Sequence, residues 1–218
     1  MGVDVADEQA VKTAVETVVR KEGRLDIVIN CAGFGISGAV EFTELSAAKR
    51  QFDVNFFGMV NVNKAAIPCL RQTGGRIVNI SSVAAVVDIP FQTYYSATKA
   101  AVNSYTCALA NELKPFGVSV TAVMPGDIRT GFTGAREKTH LGDDLYGGRI
   151  GRSVAAMEKD EENGMAPEVA GGYIARIALK RKVKPLYAIG FAYKAVCVLV
   201  KLLPVALRNW IIGLLYAK

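Results

Sequence analysis

A tyrosine and a lysine four residues apart are the first candidates for chemistry in this sequence. Tyr95 and Lys99 lie in an alanine-rich stretch that predicts a helix, and Ser82 precedes Tyr95 by thirteen residues. Side chains at this spacing share one helix face, so the ammonium can stand beside the phenol. Lowering a tyrosine pKa from about 10 to about 7 requires roughly 4 kcal/mol of differential stabilisation. We therefore predict that Lys99 lowers the pKa of Tyr95 and that Tyr95 transfers protons near neutral pH.

The composition favours one enzyme domain and argues against several other classes. The chain has 218 residues, 51% of them hydrophobic, which is enough for one compact core. A net charge of +6 suits an anionic ligand, but the basic residues cluster only at 180–184, so we do not expect nucleic-acid binding. The four cysteines are far apart and His140 is the one histidine, so we expect no metal site. The first residues do not form a secretory signal, which predicts a cytoplasmic protein with reduced thiols.

Strands and helices alternate along the sequence, which predicts an α/β domain with a parallel sheet. Apolar runs typical of buried strands cover 25–30, 76–80, 118–124 and 186–189. Helices are predicted over 6–21, with Asp7 as its cap, over 46–70 and 93–114, and from Pro167 onward. The second strand ends at Ser81 and Ser82, and a long polar segment covers 125–164.

Five motifs occur together in the order of a known family. They are Asn30-Cys31-Ala32-Gly33, Asn55-Phe56-Phe57-Gly58, Ser82, Tyr95-x-x-x-Lys99 and Pro125-Gly126-x-x-x-Thr130. With them the chain resembles the short-chain dehydrogenase/reductase family over nearly its whole length. The resemblance implies a Rossmann-like, doubly wound parallel sheet and an NAD- or NADP-dependent oxidoreductase that interconverts an alcohol and a ketone or aldehyde.

The family spacing also separates two pairs of neighbouring candidates. Tyr94 is five residues from Lys99 rather than four, so Tyr95 is selected and Tyr94 is expected to pack. The family spacing likewise selects Ser82, and Ser81 is expected to point to the opposite face because strand side chains alternate.

The resemblance implies a role for each catalytic residue. Tyr95 would be the acid in carbonyl reduction and the base in alcohol oxidation, while Ser82 would hydrogen-bond the same substrate oxygen. Lys99 would lower the pKa of Tyr95 and bind the ribose hydroxyls of the nicotinamide nucleotide. Asn55 would interrupt its helix and help to hold a water molecule that passes protons from Lys99 toward solvent.

The resemblance also implies a set of cofactor contacts. Small residues in the turn after the first strand let the backbone approach the cofactor, and the Pro-Gly turn would bind the nicotinamide carboxamide. Asp4 and Val5 resemble an Asp-Val pair that contacts the adenine at the end of the third family strand. The full set is Asp4, Val5, Asn30, Ala32, Gly33, Tyr95, Lys99, Pro125, Gly126, Ile128 and Thr130.

One family feature is not found in the 218 residues. The pyrophosphate-binding TGxxxGxG turn and its two flanking strands would precede Met1, and the glycines at 33–35 and 147–151 follow the wrong elements. We therefore expect a truncated domain, spanning 1–218, that binds dinucleotide poorly and leaves the strand at 25–30 as an exposed edge. The alternative is a cofactor-deficient fragment or pseudoenzyme that acts as an interaction or dimerisation module. A sugar-nucleotide epimerase relative would share YxxxK but needs a large C-terminal domain, and only 93 residues follow Pro125.

Two segments point to a small lipophilic alcohol or carbonyl substrate. Residues 131–164 lie where the family has a lid, so Phe132, Leu141, Leu145 and Tyr146 are candidates to cover an apolar substrate, or belong to a surface loop. The acidic run at 158–162 is expected to be a solvated face. The stretch 129–132 resembles the hydroxysteroid and retinol dehydrogenase branch.

The apolar C-terminal segment, 191–218, predicts two short helices joined at Pro204. Basic residues interrupt it, so it can pack over the substrate mouth or a subunit partner, or make peripheral membrane contact. The family resemblance further implies a homo-oligomer that forms through the helices at 46–70 and 93–114.

Overall fold

A four-stranded parallel sheet forms the centre of the protein in a computed structural model that describes residues 1–217. The strands are β1 (Ile27–Asn30), β2 (Ile36–Ser37), β3 (Arg76–Ile80), β4 (Ser119–Met124), β5 (Glu137–Lys138) and β6 (Leu186–Ala188). The central sheet has the order β1-β3-β4-β6, and β2 and β5 form a separate parallel pair. The predicted Rossmann-like α/β class is confirmed.

Nine α-helices surround these strands in residues 1–217. They are α1 (Glu8–Glu22), α2 (Leu45–Phe52), α3 (Met59–Thr73), α4 (Thr93–Leu113), α5 (Phe132–Ala135), α6 (Arg149–Glu162), α7 (Pro167–Ala178), α8 (Phe191–Leu202) and α9 (Val205–Tyr216). The predicted cap is confirmed, because the Asp7 carboxylate accepts a hydrogen bond from the Ala10 N–H at 2.9 Å. The predicted pair of C-terminal helices is also confirmed, with Pro204 between them.

The predicted long helix at 46–70 is interrupted. A π-helical turn, Asp53–Gly58, separates α2 from α3 and contains Asn55. The chain packs closely here, since a Cβ added at Gly58 would lie 2.5 Å from a methyl group of Val5. Such π-turns are often found at functional sites. The interruption expected at Asn55 is therefore present.

Apolar side chains cover both faces of the sheet, as parallel strands require. On one face α3 and α4 pack on the strands through Ala66, Leu70, Ile77, Leu109, Leu113, Val118 and Val120. On the other face α7 packs through Val78, Val123, Ala170, Ile177, Ala178 and Ile189. The central strands β3 and β4 are thereby held rigidly, and so are the segments that leave their carboxyl ends.

The expected edge at residues 25–30 is present. Among the described residues β1 pairs with β3 alone, and Ile29 is 42% exposed. Residues 1–4 form no strand, which differs from the family strand that they resemble. Asp4 instead supports a turn into α1, because its carboxylate accepts a hydrogen bond from the Ala6 N–H at 2.9 Å.

The polar segment 125–164 contains more structure than its composition suggests. It holds α5, β5 and α6, and α6 buries Ile150, Val154 and Met157 at helical spacing. The acidic run at 158–162 is not simply a solvated face, because Glu158 pairs with Lys138 and Glu161 pairs with the buried Arg136. That expectation is wrong for these two carboxylates, whereas residues 159, 160 and 162 are exposed as expected.

Within residues 1–217, no helix combines the length and hydropathy needed to cross a membrane.

Candidate active site

The site lies where β3 and β4 end side by side. Beyond the strands the two chain segments remain joined, because the Ser81 N–H donates to the Val123 carbonyl and the Val83 N–H donates to the Pro125 carbonyl, both at 2.8 Å. This places Ser82 beside the Pro125-Gly126 turn. The carboxyl edge of a parallel sheet is where ligands bind in doubly wound folds.

Ser82 and Tyr95 meet at this edge. The Ser82 hydroxyl accepts a hydrogen bond from the Ala84 N–H at 3.1 Å, which caps a 3-10 turn at Val83–Ala85. A hydrogen bond with Ser82 lowers the pKa of Tyr95, but burial has the larger effect and raises that pKa to about 12. Tyr95 is therefore a protonated phenol at neutral pH.

The prediction that Lys99 lowers the pKa of Tyr95 is wrong for this structure. The Lys99 ammonium lies 5.7 Å from the centroid of the Tyr95 ring and donates to the Ile80 carbonyl at 2.9 Å. Lys99 is 5% exposed, and burial lowers its own pKa to about 8. Burial disfavours both the Tyr95 phenolate and the Lys99 ammonium, and this effect is larger than the attraction between the two charges.

Gly33 lies against the lysine and Asn55. A Cβ added at Gly33 would lie 3.0 Å from Asn55 Oδ1 and 3.6 Å from Lys99 Nζ. The spacing leaves little room for a side chain, while Cys31, Ala32 and Gly33 themselves are exposed. Glycine therefore lets this backbone approach both the lysine and any ligand above it.

Asn55 is buried and fastens the segment that follows Gly33 to α4. Its Oδ1 accepts from the Phe34 N–H at 2.9 Å, and its Nδ2 donates to the Phe34 carbonyl at 2.9 Å and to Thr98 Oγ1 at 3.3 Å. These contacts give Asn55 a positioning role. The water relay that the family resemblance implies stays a prediction.

Asn30 belongs to a buried amide cluster that the sequence motifs did not reveal. Its Nδ2 donates to Asn63 Oδ1 and to Asn79 Oδ1, both at 2.8 Å, and Asn79 Nδ2 donates to Thr106 Oγ1 at 2.9 Å. The cluster ties β1, α3, β3 and α4 together. Any cofactor contact at Asn30 is therefore left to its backbone.

The Pro125-Gly126 turn is covered by a tyrosine from the C-terminal segment. A Cβ added at Gly126 would lie 2.1 Å from Tyr193 Cζ, so the ring rests directly on the glycine. The Tyr193 hydroxyl donates to Asp127 Oδ2 at 2.5 Å and accepts from the Asp127 N–H at 3.1 Å. The sequence motifs did not reveal the contact of Tyr193 with Gly126 and Asp127, because Tyr193 is distant in the chain and belongs to no motif.

The remaining residues of this turn are also held by protein contacts. Ile128 forms a parallel bridge with Met165, and Thr130 Oγ1 accepts a hydrogen bond from the Phe132 N–H at 3.2 Å. Thr130 thereby orients the start of α5.

Phe132 and Arg136, from α5 and the residue after it, stand above Tyr95. The Phe132 ring centroid lies 5.6 Å from that of Tyr95, and the Arg136 guanidinium lies 5.5 Å from the Phe132 centroid. Arg136 is 4% exposed and pairs with Glu161, and within residues 1–217 its Nε and Nη1 have no hydrogen-bond partner. The positive charge also lowers the pKa of Tyr95, although less than burial raises it. No sequence motif identifies Arg136 or Glu161.

The other candidates in the 131–164 segment lie apart from this stack. Leu141 and Leu145 are exposed. The Tyr146 hydroxyl donates to Glu41 Oε1 at 2.7 Å, and its ring packs edge-on against Phe91.

Comparisons with known proteins agree with this architecture. The family model described as short chain dehydrogenase matches residues 1–141. A 3-ketodihydrosphingosine reductase from Bacteroides thetaiotaomicron is 41% identical over 199 residues, which cover 87% of this chain and 74% of that protein. The crystal structure of a short-chain dehydrogenase from Streptomyces avermitilis has 28% identity and a TM-score of 0.82, covering 93% of this chain and 74% of that one. A structure of ElxO with NADP bound has 26% identity and a TM-score of 0.69, covering 88% and 77%.

Proposed function

Because this chain belongs to the short-chain dehydrogenase/reductase family, we propose that it is an NAD(P)-dependent oxidoreductase that reduces a ketone on a lipophilic substrate. The observation that carries the proposal is the protonated Tyr95 phenol. It is hydrogen-bonded with Ser82, lies near the buried Lys99 and is covered by Phe132. A proton donor, a second hydrogen-bonding group and an apolar cover are what a carbonyl substrate needs.

The residues at the strand ends fit the nicotinamide end of a dinucleotide. Lys99 uses one N–H on the Ile80 carbonyl, which leaves two for ribose hydroxyls. The exposed backbone at 31–33 and the small Gly33 provide a surface for close approach. When bound, the reduced nicotinamide supplies the hydride, and the ElxO structure with NADP supports this cofactor class.

Two residues of the chain would bind and protonate the oxygen of the carbonyl group. Ser82 Oγ donates a hydrogen bond to that oxygen and holds it against Tyr95. The Tyr95 hydroxyl then gives its proton to the same oxygen as negative charge develops there. Phe132 excludes water above the phenol, which strengthens both hydrogen bonds.

The protonated phenol favours reduction as the direction of the proposed reaction. A tyrosine whose pKa is about 12 carries its proton at pH 7 and is ready to act as an acid. Alcohol oxidation would need the phenolate, which burial disfavours. Reduction is therefore the direction in which this site starts in the correct protonation state.

A long-chain keto lipid is the substrate class that we favour. The relative with 41% identity is named for a ketone on a sphingoid chain. The Phe132 cover supports the predicted lid over 131–164 and an apolar substrate beneath it. The resemblance of 129–132 to the hydroxysteroid and retinol branch stays a prediction beside this choice.

The homo-oligomer also stays a prediction. Phe57, in the π-turn between α2 and α3, is exposed, and α4 presents the small exposed residues Ala97, Ala100, Ser104 and Ala108. These surfaces are suited to close helix packing between subunits.

The test is reduction of a 3-keto long-chain amine with NADPH and with NADH, comparing Tyr95→Phe with the parent. Loss of the proton donor is expected to lower kcat/KM by about 10²- to 10⁴-fold. Tyr94→Phe is the matched control and should stay within about twofold of the parent. Equal activity of Tyr95→Phe and the parent would remove Tyr95 from its role.

A binding titration separates this proposal from the pseudoenzyme alternative. Purified chain is titrated with NADPH and NADH by following cofactor fluorescence, first without substrate. Saturable binding that Lys99→Met weakens supports the enzyme. Absence of binding for both cofactors supports the cofactor-deficient interaction module.

A further inference from the structure

We propose that the outer surface of α8 and α9 is a docking surface for a lipid bilayer with anionic headgroups. This inference concerns a second face of the protein and does not depend on the proposed reaction.

The inner sides of the two helices are fixed to the rest of the domain. Cys197 and Ile212 are buried, and three polar contacts hold the helices in place. These contacts are Tyr193 to Asp127 at 2.5 Å, Arg208 to Asp88 at 2.8 Å and Tyr216 to Asp160 at 3.2 Å. The segment is therefore a structured part of the surface with a defined outward face.

The outward face is apolar and continuous. On α8 the apolar residues Phe191, Ala195, Val198, Leu199 and Leu202 recur at helical spacing and, together with Lys194 and Val196, line one shallow depression. Leu202 is 76% exposed and Phe191 is 90% exposed. On α9 the large exposed side chains are Val205, Leu207, Trp210, Leu214 and Leu215. An apolar surface of this extent marks an interaction site.

The charge distribution favours an anionic partner for this surface. All 20 acidic residues lie at or before Glu168, whereas nine of the 26 Lys and Arg residues follow it. Lys194 and Lys201 are both exposed on α8, next to the apolar stripe. A helix with an apolar face and lysines beside it is suited to insert between acyl chains while its ammonium groups meet anionic headgroups.

A second copy of this chain fits the surface less well. A two-fold interface would bring the lysines of one copy against those of the other, and neither α8 nor α9 carries an acidic side chain to compensate them. Like charges in a desolvated interface oppose association. An anionic bilayer turns the same lysines into attractive groups.

The single tryptophan gives a direct assay. Trp210 is the one Trp in the chain and is 61% exposed on α9. The full chain, without cofactor or substrate, is mixed with vesicles of phosphatidylcholine containing about one third phosphatidylserine, and with vesicles of phosphatidylcholine alone. We expect a blue shift of the emission and co-flotation with the anionic vesicles, both weakened by added salt.

Matched variants locate the surface. Leu202→Glu places a charge on the apolar face, and Leu179→Glu makes the same change at the end of α7, where Leu179 is 75% exposed. We expect the first variant to lose at least about tenfold in vesicle partitioning and the second to match the parent. Circular dichroism and thermal unfolding verify that both variants are folded.

A second pair of variants tests the charge. Each lysine near an anionic surface contributes about fivefold to partitioning, so Lys194→Gln with Lys201→Gln should lose about 25-fold. Lys12→Gln with Lys21→Gln, on the exposed side of α1, is the control and should leave partitioning unchanged.

Three results would overturn the proposal. The first is an unchanged Trp210 emission and no flotation with anionic vesicles. The second is equal partitioning into anionic and neutral vesicles, since the lysines would then not contribute to binding. The third is a concentration-dependent oligomer, formed without vesicles, that Leu202→Glu abolishes, because a second copy would then cover the face.

Discussion

Replacing Lys99 by Met should stabilise the protein at neutral pH while removing its activity. Burial lowers the pKa of Lys99 from 10.5 to about 8, a shift that corresponds to about 3 kcal/mol of cost for keeping the charge inside. Between these two values the unfolded chain binds more protons than the folded one, so the stability of the parent rises with pH over that window. From pH 7 to pH 9.5 the gain from this group alone is about 2 kcal/mol. Methionine has a similar length, carries no charge and contributes no such dependence.

Urea unfolding of the parent and of Lys99→Met at pH 7 and pH 9.5 measures this difference. Both chains carry Cys31→Ser, because the Cys31 thiol interacts with Lys99 and would titrate differently in the two. We expect the free energy of unfolding of the variant, relative to the parent, to fall by about 2 kcal/mol between the two pH values. Loss of the hydrogen bond to the Ile80 carbonyl changes the free energy of unfolding equally at both pH values, so it cancels from the difference between them. A stability difference that is the same at both pH values would refute the explanation by burial.

Two further substitutions test the contacts around the proton donor. Arg136→Met leaves Glu161 buried without its cation and should lower the free energy of unfolding by about 3 kcal/mol in urea titrations, whereas adding Glu161→Gln should recover most of it. No recovery in the double variant would show that the ion pair is not the cause. Gly126→Ala places a methyl group where the Tyr193 ring lies and should displace α8, which increased amide hydrogen exchange in 191–202 would report. In the Tyr193→Ala background no ring remains to clash, so adding Gly126→Ala should leave the free energy of unfolding equal to that of Tyr193→Ala alone. A further loss of stability in this double variant would contradict the explanation by a clash.

Regular periodicity explains why most of the fold could be predicted. The strands at 76–80 and 118–124 are continuous apolar runs, and the helix at 93–114 ends at a proline, so their type and bounds follow from local rules. Helix α6 was missed because its buried residues are few and stand among charged ones. Its inner face contacts distant residues, since Met157 lies against Gln92 and Ser153 against Pro90, and contacts of that kind leave no periodic signal.

The site shows the same division between local and long-range information. The spacing of Ser82, Tyr95 and Lys99 predicted that these residues lie close together, because one strand end and one helix turn fix their relative positions. The sign of the Tyr95 pKa shift could not be obtained in this way. It depends on how deeply the phenol is covered, and Phe132 and Arg136 provide that cover from a segment 37 residues further along the chain.

The two opposite pKa shifts also give the proton relay a direction. In water the phenol of a tyrosine and the ammonium of a lysine have nearly equal pKa values. In this site burial raises the pKa of Tyr95 to about 12 and lowers that of Lys99 to about 8. Once Tyr95 has given its proton away, these opposite shifts favour return of a proton from Lys99 to the phenolate. We therefore predict that Lys99 acts after the chemical step, by restoring the acid, rather than before it by creating a base.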